Sequence, residues 1–263
     1  MVFAAALAGC AATRPGLQIT LPAPGGGSEQ IPVTVSKPDG PGPFPAIVMM
    51  HDCSGLGPAS SGAPARWAAE LVERGYVVAI PDSFTPRGWV DGVCTNPSPR
   101  RAEVGPFRRA RDAHAALAFV RALPYVDGRR VGLMGGSHGG STALASMGSP
   151  GFAAAVALYP RCGSGAYRTT APLLILIGEK DDWTPAEPCR KLAEAALAAG
   201  QPVSITIYPG AHHSFDSPRP VRYVAARINP VAPGGRGATT GGDPAAWADS
   251  KEQVARFFAA HLR

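Results

Sequence analysis

At 263 residues, with 45% apolar and 17% charged residues, the chain has material for one sizeable core and is too apolar for a disordered tail. The formal net charge of +6 comes from scattered arginines. Arg100-Arg101 and Arg108-Arg109-Ala110-Arg111 fall on one predicted helix and read as a solvated face, which excludes a nucleic-acid partner, and no apolar run is long enough for a membrane span.

The first 16 residues read as a separate segment. Val2 to Ala8 is apolar, and Leu7-Ala8-Gly9-Cys10 resembles the lipobox of bacterial lipoproteins, in which the cysteine becomes the lipidated first residue. The expectation is an exported protein, periplasmic or tethered to a membrane through lipidated Cys10; without export the chain would be cytoplasmic. The segment departs from the usual signal in having no Lys or Arg before its apolar part.

From residue 17 the pattern is that of one folded domain, 17–263. Residues 17–21 and 31–35 alternate apolar and polar, with a Pro/Gly turn between them, and predict an antiparallel hairpin. Residues 46–50 are continuously apolar, as in a strand covered on both faces. A helix over 63–74, closed by Gly75, leads to a second buried strand over 76–80. A long loop over 81–99 precedes a predicted helix over 101–123. The strand beginning at Val131 runs into Gly135-Gly136-Ser137-His138-Gly139, and an Ala-rich helix follows. Further strands are predicted over 153–159, 173–177 and 203–208, with a helix over 187–199 between the last two. Residues 216–243 read as a Pro/Gly-rich excursion, and Pro244 opens a final helix to about Leu262. Buried strands alternating with helices predict a mostly parallel sheet of about eight strands with helices on both faces, and a ligand site at the carboxyl ends of the strands.

Gly135-x-Ser137-x-Gly139 has the spacing of a nucleophile elbow, in which glycines let a helix and strand approach while the serine stands clear. A serine nucleophile needs a base and a carboxylate to orient it. After the 173–177 strand comes Gly178-Glu179-Lys180-Asp181-Asp182-Trp183-Thr184-Pro185. After the 203–208 strand comes Ala211-His212-His213-Ser214-Phe215. Ser, Asp and His in the loops after successive parallel strands is the α/β-hydrolase order. A metal site at His212 and His213 lacks a spaced third ligand, and no cofactor is implied.

These loops carry a more specific resemblance. From residue 17 onward the chain resembles the dienelactone hydrolase family. Gly178-x-x-Asp181 with Pro185 is similar to that family's acid loop, and Ala211-His212-His213-Ser214-Phe215 to its histidine loop. The match singles out Asp181 and His213 over their neighbours Asp182 and His212. It also implies an oxyanion hole of two backbone N–H groups, from His138 and, in His51-Asp52-Cys53-Ser54-Gly55-Leu56, from Cys53. The founding members use a cysteine nucleophile and a glutamate where Ser137 and Asp52 stand here. They also hold a substrate carboxylate with arginines; Arg87 is one residue off that spacing, and Ser217 occupies the other place. The resemblance therefore implies hydrolase chemistry without the dienelactone substrate.

The expected protein is a monomeric carboxylic ester hydrolase with Ser137 as nucleophile, His213 as base and Asp181 as its orienting acid. Small acyl or aryl esters should enter a pocket edged by Arg87, Trp89 and Trp183. An exported peptidase or amidase with the same three residues, and a non-catalytic binding protein on the same scaffold, are the alternatives. With Cys10 set aside, Cys53, Cys94, Cys162 and Cys189 form an even set that suits an oxidising compartment and allows three pairings. Cys53 and Cys94 follow neighbouring strands, as do Cys162 and Cys189, so these two pairs are expected.

Overall fold

The alternation at the start of the domain pairs as expected. In the computed structural model, which describes residues 16–23, 25–163 and 168–263, β1 (Gln18–Pro22) runs antiparallel to β2 (Ser28–Ser36), with Ile19 opposite Ile31. Ile19, Leu21, Ile31, Val33 and Val35 turn inward, the two-residue period of a sheet with one solvated face. The expected lipidation site, Cys10, lies outside the described residues.

The alternation then gives way to continuous burial. β3 (Phe44–Met50), β4 (Val77–Pro81), β5 (Val126–Gly136), β6 (Ala155–Leu158), β7 (Leu173–Gly178) and β8 (Val203–Tyr208) are mutually parallel. With the first hairpin they form one eight-stranded sheet in the order β1-β2-β4-β3-β5-β6-β7-β8. Helices α1 (Ala63–Glu73), α2 (Pro106–Arg121), α3 (His138–Ser146), α4 (Ala186–Ala198) and α5 (Pro244–His261) cover it on both faces. Central strands buried on two faces must be apolar throughout, which is why Ile47, Val48, Leu133, Ile175 and Leu176 are fully buried. Trp67 of α1 packs edge-on against Trp247 of α5, ring centroids 4.6 Å apart. Asp243 caps α5 by accepting the backbone N–H of Ala245 and Ala246. No helix among the described residues is long and apolar enough to cross a membrane.

Two segments differ from expectation. The single helix predicted over 101–123 is two elements: a 3₁₀ helix, Pro99–Val104, and then α2. Gly105 between them is extended (φ −63°, ψ 162°). Pro106 causes the break, because it has no N–H to give and disfavours helical geometry in the residue before it. The arginines of this stretch therefore do not share one face. The excursion over 216–243 contains a second, two-stranded sheet, β9 (Arg222–Ile228) with β10 (Arg236–Thr240). No residue of β9 is fully buried, so it carried no apolar alternation to read.

Both expected disulfides are formed, Cys53–Cys94 and Cys162–Cys189. They close loops across 41 and 27 residues, and each such link contributes typically ~2–4 kcal/mol.

Candidate active site

β5 ends at Gly136 and α3 begins at His138, so the whole turn from strand to helix is made at Ser137. Its backbone sits at φ 54°, ψ −115°, a strained conformation for a residue with a side chain. The flanking glycines make this turn sterically feasible. A Cβ on Gly135 would lie 2.4 Å from the Gly139 carbonyl, and one on Gly139 would lie 2.0 Å from the Met50 carbonyl oxygen. Both obstacles are backbone and cannot swing away. Gly139→Ala should therefore cost about 3 kcal/mol, the upper end of overpacking. In a chain of this size that lowers Tm by roughly 6–12 °C, which thermal unfolding followed by circular dichroism would read.

Three side chains from three loops form one hydrogen-bonded line. His213 Nε2 lies 2.9 Å from Ser137 Oγ, and His213 Nδ1 lies 2.7 Å from Asp181 Oδ2. His213 and Asp181 are buried. A carboxylate at Nδ1 holds the proton there and leaves the Nε2 lone pair facing the serine hydroxyl. Asp181 is itself fixed: Oδ1 accepts the backbone N–H of Trp183 (3.0 Å) and of Thr184 (2.8 Å). The Thr184 hydroxyl lies 2.9 Å from Asp181 Oδ2 and 3.1 Å from the Tyr159 carbonyl, and its one proton can serve either. The neighbouring candidates point elsewhere. Asp182 accepts the backbone N–H and hydroxyl of Thr239, tying β10 to this loop. His212 places Nδ1 3.0 Å from the Lys180 carbonyl oxygen.

Beneath His213 lies a polar group that nothing local in the sequence announces. The Tyr159 ring stands 4.8 Å from the imidazole, and its hydroxyl donates to Asp216 Oδ1 at 2.8 Å. Trp67 Nε1 donates to Asp216 Oδ2, also at 2.8 Å. Burial pushes the Asp216 carboxyl above its usual range and the Tyr159 phenol well above its own. These residues come from α1, the end of β6 and the histidine loop, and they hold the floor on which His213 sits.

Cys53 and His138, the expected oxyanion donors, flank Ser137 in the wall of one cavity. The loop carrying Cys53 is held by its disulfide, by Val93 N–H donating to the Cys53 carbonyl (2.7 Å), and by Asp52 accepting Ser54 N–H (2.7 Å). Arg109 supports both sides. It is fully buried rather than solvated, lies 4.9 Å from the Phe84 ring centroid, and donates to His138 Nδ1 (2.7 Å) and to the His51 carbonyl (2.8 Å). Burial lowers the Arg109 pKa to about 10. Burial, and then the Arg109 charge, hold His51 and His138 well below the usual histidine range, so both are neutral. Arg109 lies on the buried face of α2, in line with Asp112, Ala113 and Ala116, and so departs from the solvated face it was expected to share.

The cavity measures about 800 Å³. Trp183 lines it, with Thr184, Leu144, Ile228, the Cys53–Cys94 bridge and Cys162. Arg87 and Trp89 do not line it. Arg87 sits on a 3₁₀ turn, Thr85–Arg87, and points toward β2 and α2. Glu29 (2.6 and 2.8 Å) and Asp112 (2.6 and 2.8 Å) occupy its guanidinium, so it is committed to the fold and not to a substrate. Trp89 is buried with Phe84, Val93, Val104 and the Cys53–Cys94 bridge, packing the loop from behind. The cationic groups facing the cavity are Arg101, Arg161 and Arg168, with no Asp or Glu among its described lining residues. Arg101 has a buried Nε with no hydrogen-bond partner among the described residues. Among the described residues, Asp52 with Cys53 and Cys94 gathers potential metal ligands, but both sulfurs are spent in the disulfide.

A parallel sheet that delivers serine, aspartate and histidine from the ends of β5, β7 and β8, with the serine on a strained elbow, defines an α/β-hydrolase. The chain belongs to the dienelactone hydrolase family, whose family model matches residues 31–262. It is 28% identical over 202 residues to the "Putative carboxymethylenebutenolidase" of Methylorubrum extorquens, covering 70% of this chain and 68% of that one. Among solved structures it is similar to the dienelactone hydrolase-like promiscuous phosphotriesterase P91 from metagenomic libraries. That match has a TM-score of 0.71 at 20% identity, covering 97% of this chain and 100% of that one. It is also similar to the Thermogutta terrifontis esterase Est2 with propionate bound, with a TM-score of 0.61 at 18% identity, covering 88% of this chain and 89% of that one.

Proposed function

We propose that the protein hydrolyses carboxylic esters through an acyl-serine, with Ser137, His213 and Asp181 as its catalytic residues. The observation that carries this is the unbroken line from Asp181 through His213 to Ser137 Oγ, opening on a cavity large enough for a small ester. As Ser137 Oγ attacks the ester carbonyl, His213 Nε2 takes its proton. The N–H groups of Cys53 and His138 hold the oxyanion that forms. The tetrahedral intermediate collapses to an acyl-serine, and His213 returns the proton to the departing alkoxide. Water then repeats the sequence: His213 takes its proton, hydroxide adds to the acyl carbon, and Ser137 leaves reprotonated. Asp181 keeps the imidazole in the required tautomer and stabilises it when charged.

The cavity wall adds a preference. Three arginines, with no Asp or Glu among the described lining residues, favour an ester whose acyl or aryl part bears an acidic group. Hydrolysis of p-nitrophenyl esters, in a neutral and an acidic series of rising chain length with peptide anilides alongside, tests the reading. Short acyl and aryl esters should turn over and anilides should not. Arg101→Ala should lower kcat/KM for an acidic ester about tenfold relative to its neutral analogue. Equal changes for the two series would remove Arg101 from recognition. Export to an oxidising compartment is part of the proposal, supported by the two disulfides.

A further inference from the structure

Next to the histidine loop is a second hollow, about 50 Å³, separate from the Ser137 cavity. Strand β9 serves both. Successive strand residues point to opposite faces, so Ile228 lines the large cavity while Arg227 lines the small one. Four arginines line this hollow: Arg66 from α1, Arg219 from the loop before β9, and Arg222 and Arg227 from β9 itself.

The charge there is under-compensated. Among the described residues, Asp52 and Asp216 are the two carboxylates lining the hollow. Their oxygens are engaged otherwise, Asp52 by Ser54 and Ser61 and Asp216 by Trp67 and Tyr159. Arg66 donates to the main-chain oxygens of Ser61 (3.1 Å) and Asp216 (3.2 Å). The Nε atoms of Arg66 and Arg227 are buried with no hydrogen-bond partner among the described residues. Burial lowers the Arg227 pKa, Asp52 partly restores it, and Arg222 and Arg219 lower it further. Four positive groups with at most two negative ones, in a confined space with unused donors, are arranged to attract an anion.

We propose that this hollow binds a small tetrahedral oxyanion, inorganic phosphate or sulfate, at a site distinct from the Ser137 cavity. Its volume fits the ligand: a single water needs about 10–15 Å³ of such space, so the hollow of about 50 Å³ admits one small anion and is far smaller than the Ser137 cavity of about 800 Å³. Guanidinium forks match phosphate oxygens in pairs, and the Ser214 and Ser217 residues beside them bring hydroxyl groups. The site has a built-in reporter. The Arg227 guanidinium lies 5.0 Å from the Trp183 ring centroid, and that ring in turn lies 4.8 Å from His213. Anion binding at Arg227 changes the field on the indole and thus its emission.

The test is a titration of the full chain with inorganic phosphate at constant ionic strength, read by calorimetry and by tryptophan fluorescence. Saturable one-site binding is expected, with sulfate competing. Arg222→Ala and Arg227→Leu should each weaken it at least tenfold, and Arg101→Ala, in the other cavity, should leave it unchanged. Arg222 is exposed, so its variant remains a valid test even where Arg227→Leu disturbs the hairpin. No saturable binding would overturn the proposal, as would binding lost in Arg101→Ala and kept in Arg222→Ala. Vesicles containing phosphatidic acid are a further arm. Sedimentation with vesicles that depends on Arg222, without a response to free phosphate, would assign the arginines to a lipid headgroup and overturn the free-anion site. None of these outcomes depends on whether Ser137 attacks esters.

Discussion

Ser137→Ala should leave a folded protein whose ester hydrolysis is lower by about 10⁴–10⁶-fold in kcat. The substitution removes one buried oxygen and alters no backbone requirement, because Gly135 and Gly139 still provide the close approach of helix and strand. Its stability cost is therefore small, and Tm should stay within a few degrees. His213→Ala should lose as much activity, and the double variant little more, since nucleophile and base act as a unit. His212→Ala should cost less than tenfold, because that ring faces the Lys180 carbonyl and not the serine. Labelling by a fluorophosphonate should disappear in both Ser137→Ala and His213→Ala. An active Ser137→Ala protein, or an inactive His212→Ala beside an active His213→Ala, would overturn the assignment.

The sheet and the residues at its carboxyl edge were legible for one physical reason. Strands β3 to β8 are covered on both faces, so they appear as apolar runs bounded by Gly, Pro and charge, and each candidate side chain lies a few residues beyond such a run. The cysteine pairs were legible on the same basis, through the loops that follow adjacent strands. Direction was not legible. Arg87 lies on the expected loop, but its partner Glu29 is 58 residues away on β2, and no local pattern says which way a loop arginine turns. Arg101 precedes the break at Gly105-Pro106 and lines the large cavity, whereas Arg109 falls on the buried face of α2 with Asp112, Ala113 and Ala116 and supports His138. Trp67, Tyr159 and Asp216 meet only because α1, β6 and the histidine loop converge. Each of the three alone is an ordinary residue in an ordinary place.

Asp181→Asn should fold normally and lose about 10⁴-fold in kcat, the size expected when the base is held in the wrong tautomer. The structure fixes which way the new amide would lie. Oδ1 accepts two backbone N–H groups, from Trp183 and Thr184, so the amide oxygen of asparagine must remain there. The NH₂ group then takes the place of Oδ2, 2.7 Å from His213 Nδ1. Two donors cannot face each other, so Nδ1 becomes the acceptor and the imidazole proton moves to Nε2. A protonated Nε2 has no lone pair for the Ser137 hydroxyl, and the first step of the reaction fails. Fluorophosphonate labelling should slow by a similar factor while Tm changes little, because both backbone hydrogen bonds to Oδ1 survive. Asp182→Asn is the control. Its carboxylate serves Thr239 of β10, so its loss should loosen that anchor and cost less than tenfold in rate. Equal losses at the two positions, or an Asp181→Asn enzyme keeping a tenth of its rate, would show that the orienting role lies elsewhere.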